Sequence, residues 1–119
     1  MIIGIGNDMI EIDRVIKACE KEAFLRRCFT EKEQELILLD AKKAADNFAV
    51  KEAVAKMFGT GFREIVPIEI ECLRDQLGKP YVNLHGKALE IGEERGLKTV
   101  HVSISNTKKY ASAFVVGED

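Results

Sequence analysis

Residues 47–61, NFAVKEAVAKMFGTG, combine a strong helical pattern with an abrupt Gly-Thr-Gly exit. Glu52 and Lys56 lie four residues apart, so their side chains project from one helix face, one turn from each other. They offer a hard oxygen ligand for a cation and an ammonium group for the same bound anion. Gly59 and Gly61 permit positive φ and a close approach of ligand or backbone. This combination indicates phosphate chemistry, although a surface salt bridge is the commoner explanation of an isolated Glu-Lys pair.

The segments on either side of this helix predict an α+β fold, with a mostly antiparallel sheet packed against the long central helix at 41–58. Residues 1–6 are expected to form a short buried strand whose glycines mark a close approach. Thr30 and Glu33 make a capping box, so a helix is expected from there to about residue 39. A helix with an apolar stripe is expected after residue 12, another helix at 86–95, and strands at 68–72, 81–84, 99–105 and 110–116.

Size and composition restrict the class of protein. A chain of 119 residues predicts one domain spanning residues 1–119. The formal charge of −2 argues against general nucleic-acid binding, and no run of ~18 apolar residues predicts a membrane span. The N-terminus lacks the pattern of a secretion signal. Three cysteines without a CxxC motif are typical of reduced, mostly buried thiols, which predicts a cytoplasmic protein.

A polar row and a basic stripe each occupy one face of a predicted element. The polar row, on the strand at 99–105, consists of His101, Ser103 and Ser105. The basic stripe, on the helix after residue 12, consists of Arg14, Lys17 and Lys21. By themselves the two patterns suit an exposed strand face and a solvated helix face. Asp8, directly after the first strand, would by itself suit a cap for the following helix.

Four segments, taken in order and at their spacings, resemble the holo-[acyl-carrier-protein] synthase family, the small class of 4′-phosphopantetheinyl transferases. They are GIGND at 4–8, FAVKEAVAKMFGTG at 48–61, GKPY at 78–81 and HVSIS at 101–105. The resemblance implies Mg²⁺-dependent transfer of 4′-phosphopantetheine from coenzyme A to a serine of apo acyl carrier protein, for fatty-acid biosynthesis. It implies that Asp8 and Glu52 ligate the magnesium and that Lys56 stabilises the transferring phosphate. Two routes stay open for the serine proton, which passes to Glu52 directly or through a metal-held water.

The resemblance also implies a coenzyme A surface, a carrier surface and an assembly. The residues expected to contact coenzyme A are Lys51, Gly59, Thr60, Gly61, Lys79, Pro80, His101, Ser103 and Ser105. The basic stripe becomes the expected docking surface for an acidic carrier protein. A homotrimer with active sites between protomers is expected.

Two positions depart from the family pattern. Asn47 stands where the family commonly has arginine, and Asn106 stands where it commonly has histidine. Each replaces a potentially cationic side chain beside a polyanionic ligand, a loss that Lys51, Lys108 and Lys109 are placed to offset. The departures keep an alternative open, a non-catalytic module that binds coenzyme A or a carrier protein on the same fold.

Overall fold

The central helix is the element around which the others are arranged in the computed structural model, which describes all 119 residues. The helices are α1 (Ile12–Cys19), α2 (Glu22–Cys28), α3 (Glu31–Leu39), α4 (Lys42–Phe58) and α5 (Gly86–Glu94). The strands are β1 (Ile2–Glu11), β2 (Ile70–Arg74), β3 (Pro80–Leu84), β4 (Thr99–Asn106) and β5 (Tyr110–Glu118). Short 3₁₀ turns occupy Gly61–Arg63 and Pro67–Glu69. The predicted α+β class and the long central helix are confirmed.

All strand pairs are antiparallel, and they form two sheets. One sheet has the order β1-β5-β4 and the other is the hairpin β2-β3. In the larger sheet Asp8 pairs with Ala113, which pairs with Ile104. Because paired residues share a face and neighbours along a strand alternate, this register decides which side chains meet α4. The face that carries Asp8 is the inner face, against which α4 packs.

Glycines on β1 allow the backbones of strand and helix to meet. A Cβ atom at Gly6 would overlap the carbonyl oxygen of Ala53, and one at Gly4 would crowd the backbone of Met57. Ala49, Ala53 and many apolar neighbours on α4 complete the main core with β2, β5 and α5. The predicted close approach at these glycines is confirmed.

A second core cluster lies where α1 and α2 fold back onto α4. The rings of Phe24, Phe29 and Phe48 form its aromatic centre, with centroids 5.9–6.4 Å apart. The single apolar stripe expected after residue 12 is divided between two helices, because Lys21 adopts extended backbone with φ −85° and ψ 115°. This turn brings Phe24 and Phe29 onto Phe48, where one straight helix would carry them away.

The first strand differs from its prediction. It runs ten residues to Glu11, and of these only Gly6 is buried, because the outer face of the sheet is uncovered in a single protomer. The N-cap of α1 is Glu11, so the interpretation of Asp8 as a helix cap is wrong. The capping box of Thr30 and Glu33 forms as expected and begins α3.

The cysteines are unpaired and mostly buried. All three thiols are free, with Cys28 and Cys72 buried and Cys19 half-buried. Burial raises the pKa of Cys19 and of Cys72 to about 11, which makes both poor nucleophiles. None of the helices combines the length and hydropathy that crossing a bilayer requires.

Candidate active site

Asp8 of β1 meets Glu52 and Lys56 of α4 where the strand and the helix run closest. Gly6, two residues before Asp8 on the same strand face, removes the side chain that would hold the helix away. Lys56 Nζ donates a hydrogen bond to Asp8 Oδ1 at 2.8 Å. The Asp8 side chain is only 11% exposed, whereas that of Lys56 is 55% exposed. A shielded carboxylate therefore faces a largely exposed ammonium group at the surface.

The charges of these three side chains shift one another's protonation equilibria. Burial and the negative charge of Asp8 raise the pKa of Glu52, and the ammonium of Lys56 opposes this shift. The hydrogen bond to Asp8 raises the pKa of Lys56, so the lysine is protonated at neutral pH. Two adjacent carboxylates with one exposed ammonium form a place where a second, stronger cation would be stabilised.

A groove extends from the two carboxylates along α1. Its cavity of about 470 Å³ is lined by Asp8 and Glu52 together with Arg14, Phe24 and Phe48. An adjoining cavity of about 540 Å³ shares Arg14 and Phe24 with the first. The carboxylates and the neighbouring cationic surface therefore border one continuous depression.

The basic stripe lines this depression. Three further residues that the sequence analysis did not assign to the site, Phe24, Arg27 and Phe48, also line it. Arg14, Lys17 and Lys21 line the second cavity as one surface, together with Arg27. Phe24 and Phe48 form the apolar floor between the stripe and the carboxylates. Phe48 precedes Glu52 by four residues, so helical periodicity alone contained the signal for its position. Arg27 depends on the turn between α1 and α2, for which the sequence held no signal.

Lys51 does not belong to the predicted coenzyme A surface. Its side chain is fully buried, and its ammonium is paired with Glu33 at 2.7 Å on the far side of α4. Burial lowers the pKa of Lys51, and the charge of Glu33 opposes that shift. The predicted contact with coenzyme A is therefore wrong, because the ammonium cannot leave the interior without abandoning a buried carboxylate.

The polar row lies on the outer face of the larger sheet. Ser103 pairs with Phe114, which pairs with Asn7. Because Asn7 precedes Asp8 on β1, these three side chains lie on the face of the sheet opposite to Asp8. His101, Ser103 and Ser105 are exposed there, and His101 Nε2 lies 3.0 Å from Glu118 Oε1. Within one protomer the sheet itself separates this row from Asp8, Glu52 and Lys56.

The remaining predicted coenzyme contacts lie in two turns. Gly59 (φ 76°) and Gly61 (φ 57°) end α4 with the positive φ that was expected, and open space surrounds both. Thr60 between them is nearly buried. Lys79 and Pro80 lie at the turn of the β2-β3 hairpin, apart from the groove that contains Asp8.

Comparison with known proteins identifies the family of this chain. The family model described as the 4′-phosphopantetheinyl transferase superfamily matches residues 4–115. The chain belongs to the 4′-phosphopantetheinyl transferase superfamily. It is accordingly an enzyme of the transferase class.

Relatives of this phosphopantetheinyl transferase match over nearly their whole length. The holo-[acyl-carrier-protein] synthase of Lachnoclostridium phytofermentans is 64% identical over 99% of this chain and 97% of its own. The crystal structure of the holo-[acyl-carrier-protein] synthase from Neisseria meningitidis superposes with a TM-score of 0.89, at 34% identity and full coverage of both chains. The synthase from Bacillus anthracis, solved in complex with CoA (3′,5′-ADP), superposes with a TM-score of 0.79 at 34% identity, covering 98% of this chain and 96% of its own.

The side chains at the candidate site of this transferase determine which kind of cation could bind there. No cluster of three or more His, Cys, Asp or Glu side chains is arranged to hold a metal alone. Asp8 and Glu52 supply two carboxylates, and the ammonium of Lys56 already lies against the first. Because Mg²⁺ binds proteins through one or two carboxylates with waters and substrate phosphates, this donor set fits Mg²⁺ in the company of a phosphate ligand.

The two asparagines that depart from the family pattern differ in exposure, since Asn47 is buried and Asn106 is exposed at the end of β4. Asn47 is fully buried and bonds to Glu33 and to the carbonyl of Cys72. Asn106 Nδ2 donates to the nearly buried Asp46 at 3.0 Å. The amide of Asn47 is therefore fully engaged within the fold, because Arg74 also donates to its oxygen.

Proposed function

We propose that this chain transfers the 4′-phosphopantetheine group of coenzyme A to a serine of an apo acyl carrier protein. The products are the holo carrier protein and adenosine 3′,5′-bisphosphate. The observation that carries the proposal is the convergence of Asp8, Glu52 and Lys56 at the end of a groove whose continuation is cationic. The names of the relatives support an acyl carrier protein as the acceptor. We place this reaction in fatty-acid biosynthesis.

Asp8 and Glu52 would hold Mg²⁺ against the diphosphate of coenzyme A. When bound, the ion would neutralise negative charge on the reacting phosphate. The shielded Asp8 is oriented by the strand, and Glu52 is oriented by the helix. The raised pKa of Glu52 supports this role, because two adjacent carboxylates lower their repulsion by taking up a cation.

Glu52 and Lys56 would have different parts in the transfer. The serine oxygen attacks the phosphorus that bears the pantetheine, and the bond from this phosphorus to the bridging oxygen breaks. Glu52 would accept the serine proton. Lys56, protonated and largely exposed, would turn from Asp8 towards the leaving oxygen and stabilise its charge.

The assembly that we propose is a homotrimer with its sites between protomers. The outer face of the larger sheet exposes Ile5, Met9 and Phe114 by 59%, 68% and 46% of their surfaces. His101, Ser103 and Ser105 lie on this same face, opposite Asp8. A neighbouring protomer that covers the apolar face would bring its own carboxylate pair to the polar row, which a single chain cannot do.

The basic stripe of Arg14, Lys17 and Lys21 would dock the acidic carrier protein. Its cavity adjoins the groove that ends at Asp8 and Glu52, so a bound carrier would present its serine to the carboxylates. Complementary charge would raise the rate of encounter and orient the partner. The three free thiols support a reducing compartment, and we place the reaction of this one-domain enzyme in the cytoplasm.

One assay tests the proposal. The chain is incubated with coenzyme A, Mg²⁺ and apo carrier protein, and the carrier is weighed by mass spectrometry. We expect a mass gain equal to one phosphopantetheine group on the carrier, lost when Mg²⁺ is chelated. A carrier that binds and stays unmodified would support the non-catalytic module instead. That alternative loses support from Asn47, because this amide is buried away from any ligand.

A further inference from the structure

A buried polar network lies on the face of α4 that points away from the site. Lys51 and Glu33 are both fully buried. Lys51 Nζ donates to Glu33 Oε1 at 2.7 Å, to the carbonyl oxygen of Pro67 at 3.1 Å and to that of Ile70. All three N–H groups of the ammonium thus donate hydrogen bonds, to acceptors from different parts of the chain. No function described above uses this charge.

Asn47, one turn before Lys51, extends the network to β2. Its amide nitrogen donates to Glu33 Oε2 and to the carbonyl oxygen of Cys72, each at 2.9 Å. Arg74 in turn donates to Asn47 Oδ1 at 2.9 Å. No buried side-chain polar atom in the protein lacks a partner. We call Glu33, Asn47 and Lys51 the polar clamp; it joins α3, α4 and β2.

The polar clamp contributes more to the orientation of α4 than to the net free energy of unfolding. A buried ion pair loses its hydration, so a well-packed apolar pair of equal volume is often as stable. Apolar contacts, however, let a helix turn or slide by small amounts, whereas several hydrogen bonds of fixed length do not. On the face of α4 that meets β1, Gly4 and Gly6 present no side chain, and the hydrogen bond from Lys56 to Asp8 comes from a largely exposed ammonium. The fully buried side-chain hydrogen bonds that hold the rotation of α4 about its own axis are therefore those of the clamp.

The same rotation determines where Glu52 points. Lys51 and Glu52 are consecutive residues, about 100° apart around the helix. At the ~6 Å radius of helical side chains, a rotation of about 20° moves a carboxylate by roughly 2 Å. A displacement of that size would prevent Glu52 and Asp8 from binding the same cation. Misplacements of about 1 Å already lower reaction rates by large factors.

We propose that Lys51, held by Glu33 and Asn47, is a positioning residue that fixes the rotation of α4 and so presents Glu52 beside Asp8 to the divalent cation. The inference rests on the proposed function for the identity of the cation. It assigns Lys51 to the interior side of the helix, where it acts through Glu52 and contacts neither coenzyme A nor the carrier.

The test compares a charge-free clamp with a matched core variant. In Glu33→Gln with Lys51→Met, no charge is left buried without a partner. Val54→Ala removes apolar volume from α4 at a fully buried position seven residues after Asn47, on the same helix face. Thermal unfolding, Mn²⁺ binding in the presence of coenzyme A by electron paramagnetic resonance, and kcat are measured for each. Mn²⁺ serves as the probe because its binding is read without any turnover.

We expect the clamp variant to weaken Mn²⁺ binding and to lower kcat by about tenfold each, the range found for groups that orient metal ligands. Val54→Ala is expected to lower Tm and leave Mn²⁺ binding within about twofold of wild type. Unchanged Mn²⁺ binding in a folded clamp variant, or equal losses in Val54→Ala, would overturn the proposal. If the clamp variant does not fold, Asn47→Ser keeps both charges paired, and its Mn²⁺ binding must fall by about threefold.

Failure of the proposed function is distinguishable from failure of this inference. A wild-type chain that transfers nothing to the carrier but binds Mn²⁺ with coenzyme A contradicts the transfer reaction, and the variants still decide the role of Lys51. A wild-type chain that binds no Mn²⁺ beside coenzyme A overturns the positioning role itself.

Discussion

Lys56 Nζ lies 2.8 Å from Asp8 Oδ1, although 48 residues of sequence separate the two side chains. This pair joins the first strand to the end of the central helix at the point where their backbones are closest. The shielded carboxylate and the exposed ammonium differ in freedom. The first is positioned by the fold, and the second is free to follow a ligand.

Replacing Asp8 by asparagine keeps its volume and removes its charge. We expect Asp8→Asn to lower phosphopantetheine transfer by at least about 100-fold, because Mg²⁺ would lose a carboxylate that the site cannot replace. The measurement is the rate of mass gain on the carrier protein at saturating Mg²⁺. Asp13→Asn, on the exposed first turn of α1, is the control. Near-normal transfer by Asp8→Asn would contradict the magnesium assignment.

Removing the ammonium of Lys56 separates chemistry from binding. Lys56→Met is expected to lower kcat by about 100-fold while KM for coenzyme A changes by less than about threefold, since the charge is needed mostly in the transition state. Steady-state kinetics with varied coenzyme A provides the two constants. Lys42→Met, an exposed lysine at the other end of α4, should behave as wild type. A rise in KM with unchanged kcat would reject the catalytic role.

Reversing the charge of Arg14 tests the docking surface. We expect Arg14→Glu to raise KM for the carrier protein by about tenfold at low salt, with kcat little changed, because Arg14 borders both cavities of the groove. The difference from wild type should shrink as salt screens the charges. Lys87→Glu on α5 is the matched control. An effect on KM that is the same at all salt concentrations would argue against electrostatic docking.

The trimer proposal predicts complementation between defective chains. Asp8→Asn and His101→Ala are each expected to be inactive alone. Unfolded together and refolded at equal concentrations, they should recover about a quarter of wild-type activity, the fraction of sites that pair an intact Asp8 with a neighbour's intact His101. Phe114→Arg, which places a charge on the exposed sheet face, should give monomers by light scattering. A mixture without recovered activity would place both residues in sites formed within one chain, whereas an active His101→Ala variant would assign His101 no role.

The lowered pKa of the buried Glu71 predicts how the free energy of unfolding depends on pH. Burial raises the pKa of Glu71, and hydrogen bonds from Thr30, Asn83 and His85 outweigh it, so the pKa lies below its ordinary 4.5. A carboxyl with a lowered pKa in the folded state stabilises the protein above pH 4.5, and this contribution is lost as pH falls through the folded value. Glu71→Gln should therefore flatten the fall in unfolding free energy as the pH decreases below 4.5.

Urea unfolding at several pH values measures this effect. At pH 7 the variant should be less stable by about 1–2 kcal/mol, because Thr30 then donates to a neutral amide oxygen in place of a carboxylate oxygen 2.6 Å away. Glu64→Gln, at an exposed position, is the control and should leave the acid slope unchanged. An unchanged slope in Glu71→Gln would show that other groups govern the acid transition.

Local patterns were sufficient for most elements of the fold. The capping box at Thr30, the glycine exit of α4 and the alternation on β4 each depend on neighbours within a few residues. Even the close approach at Gly6 was predictable, since a glycine inside a strand leaves room for something to pack there. The break between α1 and α2 was not, because it is stabilised by contacts of Phe24 and Phe29 with the distant Phe48.

Lys51 shows the limit of sequence patterns most clearly. It stands beside Glu52 in a helix of mixed polarity, and the resemblance placed it at the coenzyme. The tertiary structure instead buries it on Glu33, a residue that the sequence marked only as half of a capping box. A charged side chain in the interior depends on partners distant in sequence, and no local period specifies them.

By itself the sequence determined the α+β class, the family, and the residue types able to hold a cation and a phosphate. Only the tertiary structure decided which of two neighbouring charges, Lys51 and Glu52, lies beside Asp8 and which faces the interior, and on which side of the sheet the polar row lies. The reason is physical. Helical and strand periods specify faces relative to one another, whereas burial of a face depends on the elements that pack against it.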